Sequence, residues 1–305
     1  MSMPTVDKIW MDGGLVDWDK AQIHVLSHAL HYGSGVFEGI RCYELADGGS
    51  AVFRLQEHME RFERSARMLY MELPYSVGET VEAVRETIRA NSLKSCYIRP
   101  LAFRGYGSMG VDPTPAPVQV VIAVWPWGSY LGEEGLAAGV DVGVSSWRQR
   151  SINALPPAIK ATANYLNSGF AKMEASRHGY AEAIMLNEDG HVCEGTGENI
   201  FVVRDGIIST PPVSDGILAG ITRDSAMIIA DSLGYPVLEE SLVRSDLYAA
   251  DEIFMTGTAA EVVPVRSVDG HLIDCPGEIT RELQEAFFRA VRGEDSDYEE
   301  WLDRL

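Results

Sequence analysis

The sequence predicts an α+β fold built as two units. Strand-like runs and amphipathic helices follow one another without regular βαβ alternation, and no G-x-G-x-x-G follows a strand, which argues against a Rossmann arrangement. The length of 305 residues suggests about two domains at roughly 150 residues each. Near the middle, residues 126–138 break both periodicities with Pro and Gly punctuation. The expected division is therefore a small N-terminal unit over 1–125, a connector over 126–138 and a larger C-terminal unit over 139–305.

Within the first unit, 36–43 alternates as a strand and 51–55 reads as its hairpin partner. Met59, Phe62, Ala66 and Leu69 recur at helical spacing, and a second helix is expected over 77–93, after Pro74. Residues 96–104 and 118–125 read as further strands, the latter so continuously apolar that burial on both faces is expected. The run from Trp125 to Gly132, where the connector begins, holds Trp125, Trp127 and Tyr130, unusual for a segment that only spans space, and so reads as a pocket cover. In the second unit, strands are expected at 140–147, 183–186, 199–203 and 252–255, and helices near 162–178, 222–233 and 278–293. Asn187 to Gly190, Arg204-Asp205-Gly206 and Val268-Asp269-Gly270 have hairpin-turn composition.

Composition excludes several function classes. The formal net charge is 25 − 45 = −20, and no basic tail is present, so nucleic acid and anionic membrane are poor partners. At 46% hydrophobic and 23% charged, the chain buries an ordinary core and is neither disordered nor fibrous. Cys42, Cys96, Cys193 and Cys275 are scattered singly, as reduced thiols in a cytoplasmic protein are. No signal peptide or membrane span is visible, and a cytoplasmic location is expected.

Only five of the 25 basic residues are lysines: Lys8, Lys20, Lys94, Lys160 and Lys172. Four sit in polar company. Lys160 alone has apolar or small neighbours, in Pro156-Pro157-Ala158-Ile159-Lys160-Ala161, and a crowded amine of this kind suits Schiff-base chemistry. The competing reading is a stem that snorkels to the surface. Cys193-Glu194-Gly195-Thr196-Gly197-Glu198-Asn199 sets carboxylates among small residues, where a flat ligand can approach the backbone. Gly220-Ile221-Thr222-Arg223-Asp224 opens a helix whose free N–H groups and threonine hydroxyl make an anion seat. Thr256-Gly257-Thr258-Ala259-Ala260-Glu261 offers similar donors after an apolar strand. An amine, a carboxylate for a protonated ring nitrogen and phosphate donors are the parts of a pyridoxal-phosphate site. His24, His28 and His31 have metal-site spacing, but lack Glu or Cys companions and precede Gly33 and Gly35; structural roles and no metal are expected.

These segments, with Ser27 to Gly33, Val36-Phe37-Glu38-Gly39-Ile40-Arg41, Tyr97-Ile98-Arg99-Pro100 and Ala163-Asn164-Tyr165, resemble the branched-chain-amino-acid aminotransferases of the class IV (fold-type IV) pyridoxal-phosphate family. Seven matching segments fall in the right order along nearly the whole chain. The resemblance implies a D-amino-acid-aminotransferase-like fold, with a small N-terminal α/β sandwich and a larger C-terminal α+β pseudo-barrel. It implies reversible transamination of L-leucine, L-isoleucine or L-valine with 2-oxoglutarate, ping-pong by way of pyridoxamine phosphate. D-amino-acid aminotransferases, R-selective amine aminotransferases and aminodeoxychorismate lyases share the lysine, the glutamate and the phosphate seat. Tyr97-Ile98-Arg99 and Thr258-Ala259-Ala260 favour the branched-chain type.

Position by position, the resemblance implies that Lys160 carries pyridoxal 5′-phosphate covalently and shuttles the substrate proton. Glu194 would bond the pyridine nitrogen, Tyr165 the phenolic oxygen, and Leu218 and Gly197 would lie against the cofactor. Arg61, Ile221 N–H, Thr222 and Thr258 would grip its phosphate. Arg61 precedes Phe62 on the first helix, off its apolar stripe, a placement that faces a cleft. Phe37, Tyr97, Val111 and Tyr130 would line the substrate pocket, with Trp127 beside Tyr130 and Tyr32 arriving from a second subunit. Tyr97 and the N–H groups of Thr258 and Ala259 would hold the α-carboxylate, and Arg99 the side-chain carboxylate of glutamate. The 104–111 loop leads to Val111 and can touch substrate. A homodimer or a higher assembly, a hexamer included, is implied.

Overall fold

The structure is a computed structural model that describes residues 4–128 and 132–305. The described chain is α+β, with two eight-stranded sheets, one in each of two compact units. The first unit runs to Trp127 and adds Ile159–Ala163 and Ala290–Leu305; the second is Gly128–Ala158 and Asn164–Arg289. The continuous 139–305 assignment thus differs from the structure in two places, each for a backbone reason. Ala161 forms a β-bridge with Val36, and strand Leu302–Arg304 pairs antiparallel with Ser50–Phe53. Within 126–138, Gly132–Ala138 is a helix whose Leu136 packs on the second unit's core, where sequence patterning suggested only a connector.

The first unit's sheet is antiparallel throughout. Its order is Leu302–Arg304, Ser50–Phe53, Ile40–Glu44, Cys96–Arg104, Val118–Trp125, Lys8–Met11 and Gly14–Asp17, with Gly35–Phe37 also on Cys96–Arg104. Helix Leu55–Met68 turns Leu55, Met59, Phe62 and Ala66 inward at i, i+4, i+7 and i+11, and helix Val77–Ala90 adds Val81, Val84 and Ile88. The second helix starts at a capping box: Ser76 Oγ accepts from Glu79 N–H, and Glu79 accepts from Ser76 N–H. Both stripes pack on Ile40, Ile98, Val120, Ile122 and Val124. Strand Val118–Trp125 is not buried equally on both faces: Val120, Ile122 and Val124 are inaccessible, whereas Val121 and Ala123 stay half-buried. The expected 36–43 strand is two strands, broken at Glu38-Gly39. Glu38 turns into the interior there to meet His58 and Arg61.

The second unit's sheet is mixed. Its order is Val237–Glu239, Ile207–Thr210, Asn199–Arg204, Glu252–Gly257, Glu261–Val268, Val140–Val144 and Glu182–Ile184, with His271–Leu272 on Glu261–Val268. Val142, Ile184, Ile200, Val202, Ile253, Met255, Val263 and Val265 form its core. Asp205 (φ +51) and Gly206 (φ +77) close the Asn199–Arg204 hairpin with left-handed residues, as a two-residue turn matching strand twist requires. Helix Tyr165–Arg177 lies within its expected stretch, and helix Ile221–Ser232 is displaced one residue N-terminal to the expected 222–233. Among the described residues, no helix is long and apolar enough to cross a membrane.

Candidate active site

In the first unit, Lys160 is held by its main chain. Phe37 N–H donates to Lys160 C=O at 3.0 Å, and Lys160 N–H donates to Ser65 Oγ at 3.3 Å. Ala161 bridges Val36 on the same side of the lysine. The Lys160 amine lies 5.1 Å from the centroid of the Phe37 ring, and the Arg99 guanidinium lies 4.7 Å from that centroid. Tyr97 and Arg99 alternate with Ile98 on strand Cys96–Arg104, so one faces the same way as the other while Ile98 enters the core.

The wall around these cations is aromatic. Tyr97 stands 5.2 Å, ring to ring, from both Trp125 and Trp127. Arg99 lies over Tyr97 at 5.4 Å and Trp125 at 5.8 Å. Electron-rich ring faces attract a guanidinium without fixing it as a carboxylate would. Arg99 Nε is buried and makes no hydrogen bond within the described residues, which suits a cation waiting for an acidic ligand. Gly39 permits the arrangement: a Cβ there would stand 2.0 Å from Tyr97 Oη.

Arg61 is buried and grips Glu38 from two sides. Its Nε donates to Glu38 Oε1 at 2.8 Å and its Nη2 to Oε2 at 2.9 Å. His58 Nδ1 meets Glu38 Oε2 at 2.8 Å. Burial opposes ionisation of Glu38, but the Arg61 charge and the bonds from His58 and Arg61 outweigh it and hold this carboxyl well below the usual range. For His58 burial prevails and pushes protonation down despite Glu38, with Arg61 and Lys160 adding to the effect. Sequence reasoning missed Glu38 and His58, although an acidic residue inside an apolar strand pattern was a signal for the first.

In the second unit, Glu194 anchors a polar network. Its Oε1 accepts from Gln149 Nε2 at 2.6 Å, and its Oε2 accepts from Leu218 N–H at 2.9 Å and Asn199 Nδ2 at 3.4 Å. Asn199 Nδ2 also donates to Leu218 C=O at 3.0 Å, so Leu218 is fixed through both main-chain groups. Arg150 approaches Glu194 at 3.9 Å. Burial lowers the Arg150 pKa, against the opposing charges of Glu194, Tyr165 and Cys193. Gln149 and Arg150 were missed because they follow strand Val140–Val144 in a stretch with no recognisable pattern. Glu198 and Glu182 form a second buried set beside this network, joined by half-buried Lys172. Lys172 Nζ donates to Glu182 Oε2 at 2.6 Å, and Thr196 Oγ1 donates to Oε1 at 2.7 Å. Lys172, expected in polar company, has its ammonium tied to a buried acid. Burial, then the neighbouring Glu182 charge, pushes the Glu198 carboxyl up to about 8.

Helix Ile221–Ser232 begins after Gly220 with no side-chain cap, the arrangement in which first-turn N–H groups can serve an anion, and Thr222 is buried at the same end. Thr258 and Ala259 form the half-buried turn between strands Glu252–Gly257 and Glu261–Val268. Beside that turn, Thr256 Oγ1 is buried without a partner among the described residues. Gly197 is exposed, with open space where a side chain would stand.

The first unit therefore gathers Phe37, Arg61, Tyr97, Arg99 and Lys160. The second carries Glu194, Gly197, Leu218, Ile221, Thr222, Thr258, Ala259 and Tyr165, with Glu194 and Leu218 joined by a hydrogen bond. Val111 and Tyr32 are not drawn into the aromatic wall; they are 86% and 48% exposed. Tyr130 lies outside the described residues. His28 is buried and bonds Ser34 Oγ and Gly110 C=O, both at 2.7 Å.

Residues 35–268 match the family model described as amino-transferase class IV. The branched-chain-amino-acid aminotransferase of Salmonella typhimurium is 49% identical over 307 aligned residues, covering 99% of each chain. The crystal structure of the Escherichia coli branched-chain amino acid aminotransferase is similar to this one at a TM-score of 0.96 and 49% identity, covering 98% of this chain and 99% of that one. The branched-chain aminotransferase of the thermophilic archaeon Thermoproteus uzoniensis, solved with norvaline, is similar at a TM-score of 0.94 and 46% identity, with 98% of this chain and 99% of that one covered.

Two consequences of the geometry can be measured. Gly39→Ala displaces the Tyr97 hydroxyl, since the new methyl and that oxygen cannot coexist. Tryptophan fluorescence from Trp125 and Trp127 should change; an unaltered spectrum would show that Tyr97 had not moved. Glu198 bears on stability through its raised pKa. Between the unfolded value of about 4.3 and the folded value, the native state retains a proton that the unfolded chain has lost. This group's contribution to stability therefore falls as pH rises from about 4 toward 8 and then levels off. Glu198→Gln should flatten that part of the Tm-against-pH curve. An unchanged slope would place the proton elsewhere.

Proposed function

This chain belongs to the class IV aminotransferase family, and on that premise we propose that it reversibly moves the amino group of L-leucine, L-isoleucine or L-valine to 2-oxoglutarate, with pyridoxal 5′-phosphate as cofactor. The carrying observation is the pairing of Lys160 with Arg99 on one phenyl ring, inside a wall of Tyr97, Trp125 and Trp127. An apolar wall accepts a branched side chain, and a cation resting on ring faces can answer a second carboxylate. One wall then serves both a hydrocarbon and an acidic substrate.

The residues present fit the cofactor. Its phosphate would be held by the uncapped start of helix Ile221–Ser232, by Thr222 and Thr258, and by Arg61. Its ring nitrogen would face Glu194, its phenolic oxygen Tyr165, and its ring Leu218 and Gly197. The orphaned Thr256 hydroxyl, beside the Thr258 turn, is the kind of buried donor that a ligand satisfies. When bound, pyridoxal phosphate supplies an electron sink for the bond cleaved at the substrate's Cα.

The protein's own groups do the rest. The Lys160 amine takes the Cα proton and returns it at the cofactor's C4′ carbon, and its fixed main chain limits that motion to the side chain. Glu194, steadied by Gln149, Asn199 and Leu218 N–H, keeps a positive charge favourable at the ring nitrogen. Tyr97 and the Thr258 and Ala259 N–H groups orient the α-carboxylate, and Arg99 holds the γ-carboxylate of glutamate or 2-oxoglutarate. The two substrates use the same wall in turn, as a ping-pong exchange requires.

Lys160→Ala should abolish transamination and the borohydride-dependent covalent attachment of cofactor to the chain; attachment that persisted would exclude Lys160. A panel of amino donors with 2-oxoglutarate should rank the branched-chain amino acids first. In single half-reactions of the cofactor-loaded protein with one amino acid and no oxo acid, Arg99→Gln should raise the glutamate concentration giving half-maximal rate by roughly tenfold or more, with little change for leucine. Equal losses on both substrates would remove the acidic-substrate role.

A cytoplasmic homodimer, or a higher assembly of dimers, completes the reading. Val25, Leu30 and Tyr32 are exposed next to an apolar depression lined by Ile9, Ile23, Leu101 and Phe103, a surface suited to a second copy. Tyr32 and Val111, exposed on their own chain, are then available to a neighbour's site. Sedimentation at assay concentration should give no active monomer.

A further inference from the structure

We propose that Glu38, backed by His58, is a positioning residue that aims the Arg61 guanidinium at the cofactor's phosphate ester. The proposal rests on the reading above of Arg61 as a phosphate ligand and adds what sets its direction.

Glu38 occupies the break between strands Gly35–Phe37 and Ile40–Glu44 and is fully buried. His58 and Arg61 stand three residues apart on helix Leu55–Met68, and so on one face, next to the core residues Met59 and Phe62. Arg61 meets the carboxylate side-on through Nε and Nη2, a fork contact that fixes the plane of the guanidinium as well as its position. His58 bonds the Oε2 that also accepts Nη2, closing the group from a third direction.

A buried ion pair is a poor way to stabilise a core, since apolar residues of similar size do as well or better. Its use here is directional. A lone arginine side chain has many rotamers, and ordering it on binding costs affinity. Glu38 orders it beforehand. His58, held neutral by burial, donates one hydrogen and adds no charge. The Glu38–Arg61 pair is then formally neutral, so phosphate recognition through Arg61 depends on the direction of its N–H groups and not on a bare cation. That separates the proposal from a simple charge effect: removing the Glu38 charge leaves Arg61 more positive, yet weakens phosphate binding.

The test titrates the full-length chain, freed of cofactor, with pyridoxamine 5′-phosphate and with pyridoxamine, followed by tryptophan fluorescence. Neither has an aldehyde, so Lys160 forms no bond to either. Arg61→Gln should erase most of the preference for the phosphorylated compound; if the preference survives, the phosphate role of Arg61 is wrong, whatever Glu38 does. Once Arg61→Gln has erased it, Glu38→Gln should weaken pyridoxamine 5′-phosphate by about tenfold and pyridoxamine by less than about twofold, the scale of one misdirected charge-assisted bond. Equal weakening of both ligands would mean a structural role only, and unchanged or tighter phosphate binding would mean that Arg61 acts as a free charge. Either result overturns the proposal. Should Glu38→Gln fail to fold, His58→Asn and His58→Phe decide. The asparagine amide can replace Nδ1 as donor and should keep the preference, whereas phenylalanine should reduce it; identical behaviour of the two would overturn the role of the cluster.

Discussion

Main-chain hydrogen bonds along Ile159–Ala163 fix where the lysine chemistry can occur. Phe37 N–H to Lys160 C=O, Lys160 N–H to Ser65 Oγ and the Val36–Ala161 bridge tie this stretch to the edge of a strand and to helix Leu55–Met68. A lysine side chain carries considerable rotamer entropy, and no single contact of its amine could place it as firmly. With the main chain fixed, only the side chain would have to move in the proton transfer proposed for Lys160. Phe37 belongs to the same constraint: its N–H holds Lys160 and its ring receives both the lysine amine and Arg99.

The net charge of −20 looks unfavourable for a protein whose substrates and cofactor are anions. Nine arginines between Arg41 and Arg104 suggest a local excess of positive charge to offset it. The structure assigns most of the partnered ones elsewhere. Arg85 pairs with Asp303 and Glu82, Arg54 with Glu57, and Arg104 binds the carbonyls of Tyr70, Thr114 and Ala116. Arg61 is balanced by Glu38. Arg99 differs, since its head rests on three aromatic faces and not on an acid. On the proposed assignment of the site, anion binding would rest on directed donors, main-chain N–H groups included, far more than on accumulated charge.

How much of this could be read in advance varied with the range of the interaction. The helices at 55–68, 77–90 and 221–232 and the strands Cys96–Arg104 and Val118–Trp125 follow from local periodicity, so they were legible. Leu302–Arg304 and Ile159–Ala163 were not, because each pairs with backbone far away in sequence and carries no local pattern. The motif-bearing residues Lys160, Glu194, Tyr97 and Arg99 were legible as chemical types. Their supports, Gln149, Arg150, His58 and Glu38, were not, since a supporting residue is defined by what it touches. Arg61 shows the limit from the other side. Its offset from the apolar stripe was visible, but burial in an ion pair defeats any rule that equates a polar position with exposure.

The glycines of the motifs make the same point in steric terms. Small residues around Glu194 suggested room for a flat ligand to approach, and Gly197 does have open space beside it. The others are filled by the protein itself. A Cβ on Gly220 would stand 2.0 Å from Asn199 Oδ1, just as one on Gly39 would meet Tyr97 Oη. Each glycine lets a polar side chain come closer than any other residue would allow. Asn199 then reaches both Glu194 and Leu218, and Tyr97 reaches its place between Trp125 and Trp127. Substituting these glycines should consequently disturb the direction of functional groups before it disturbs the fold, because the first atoms displaced are the ends of those side chains.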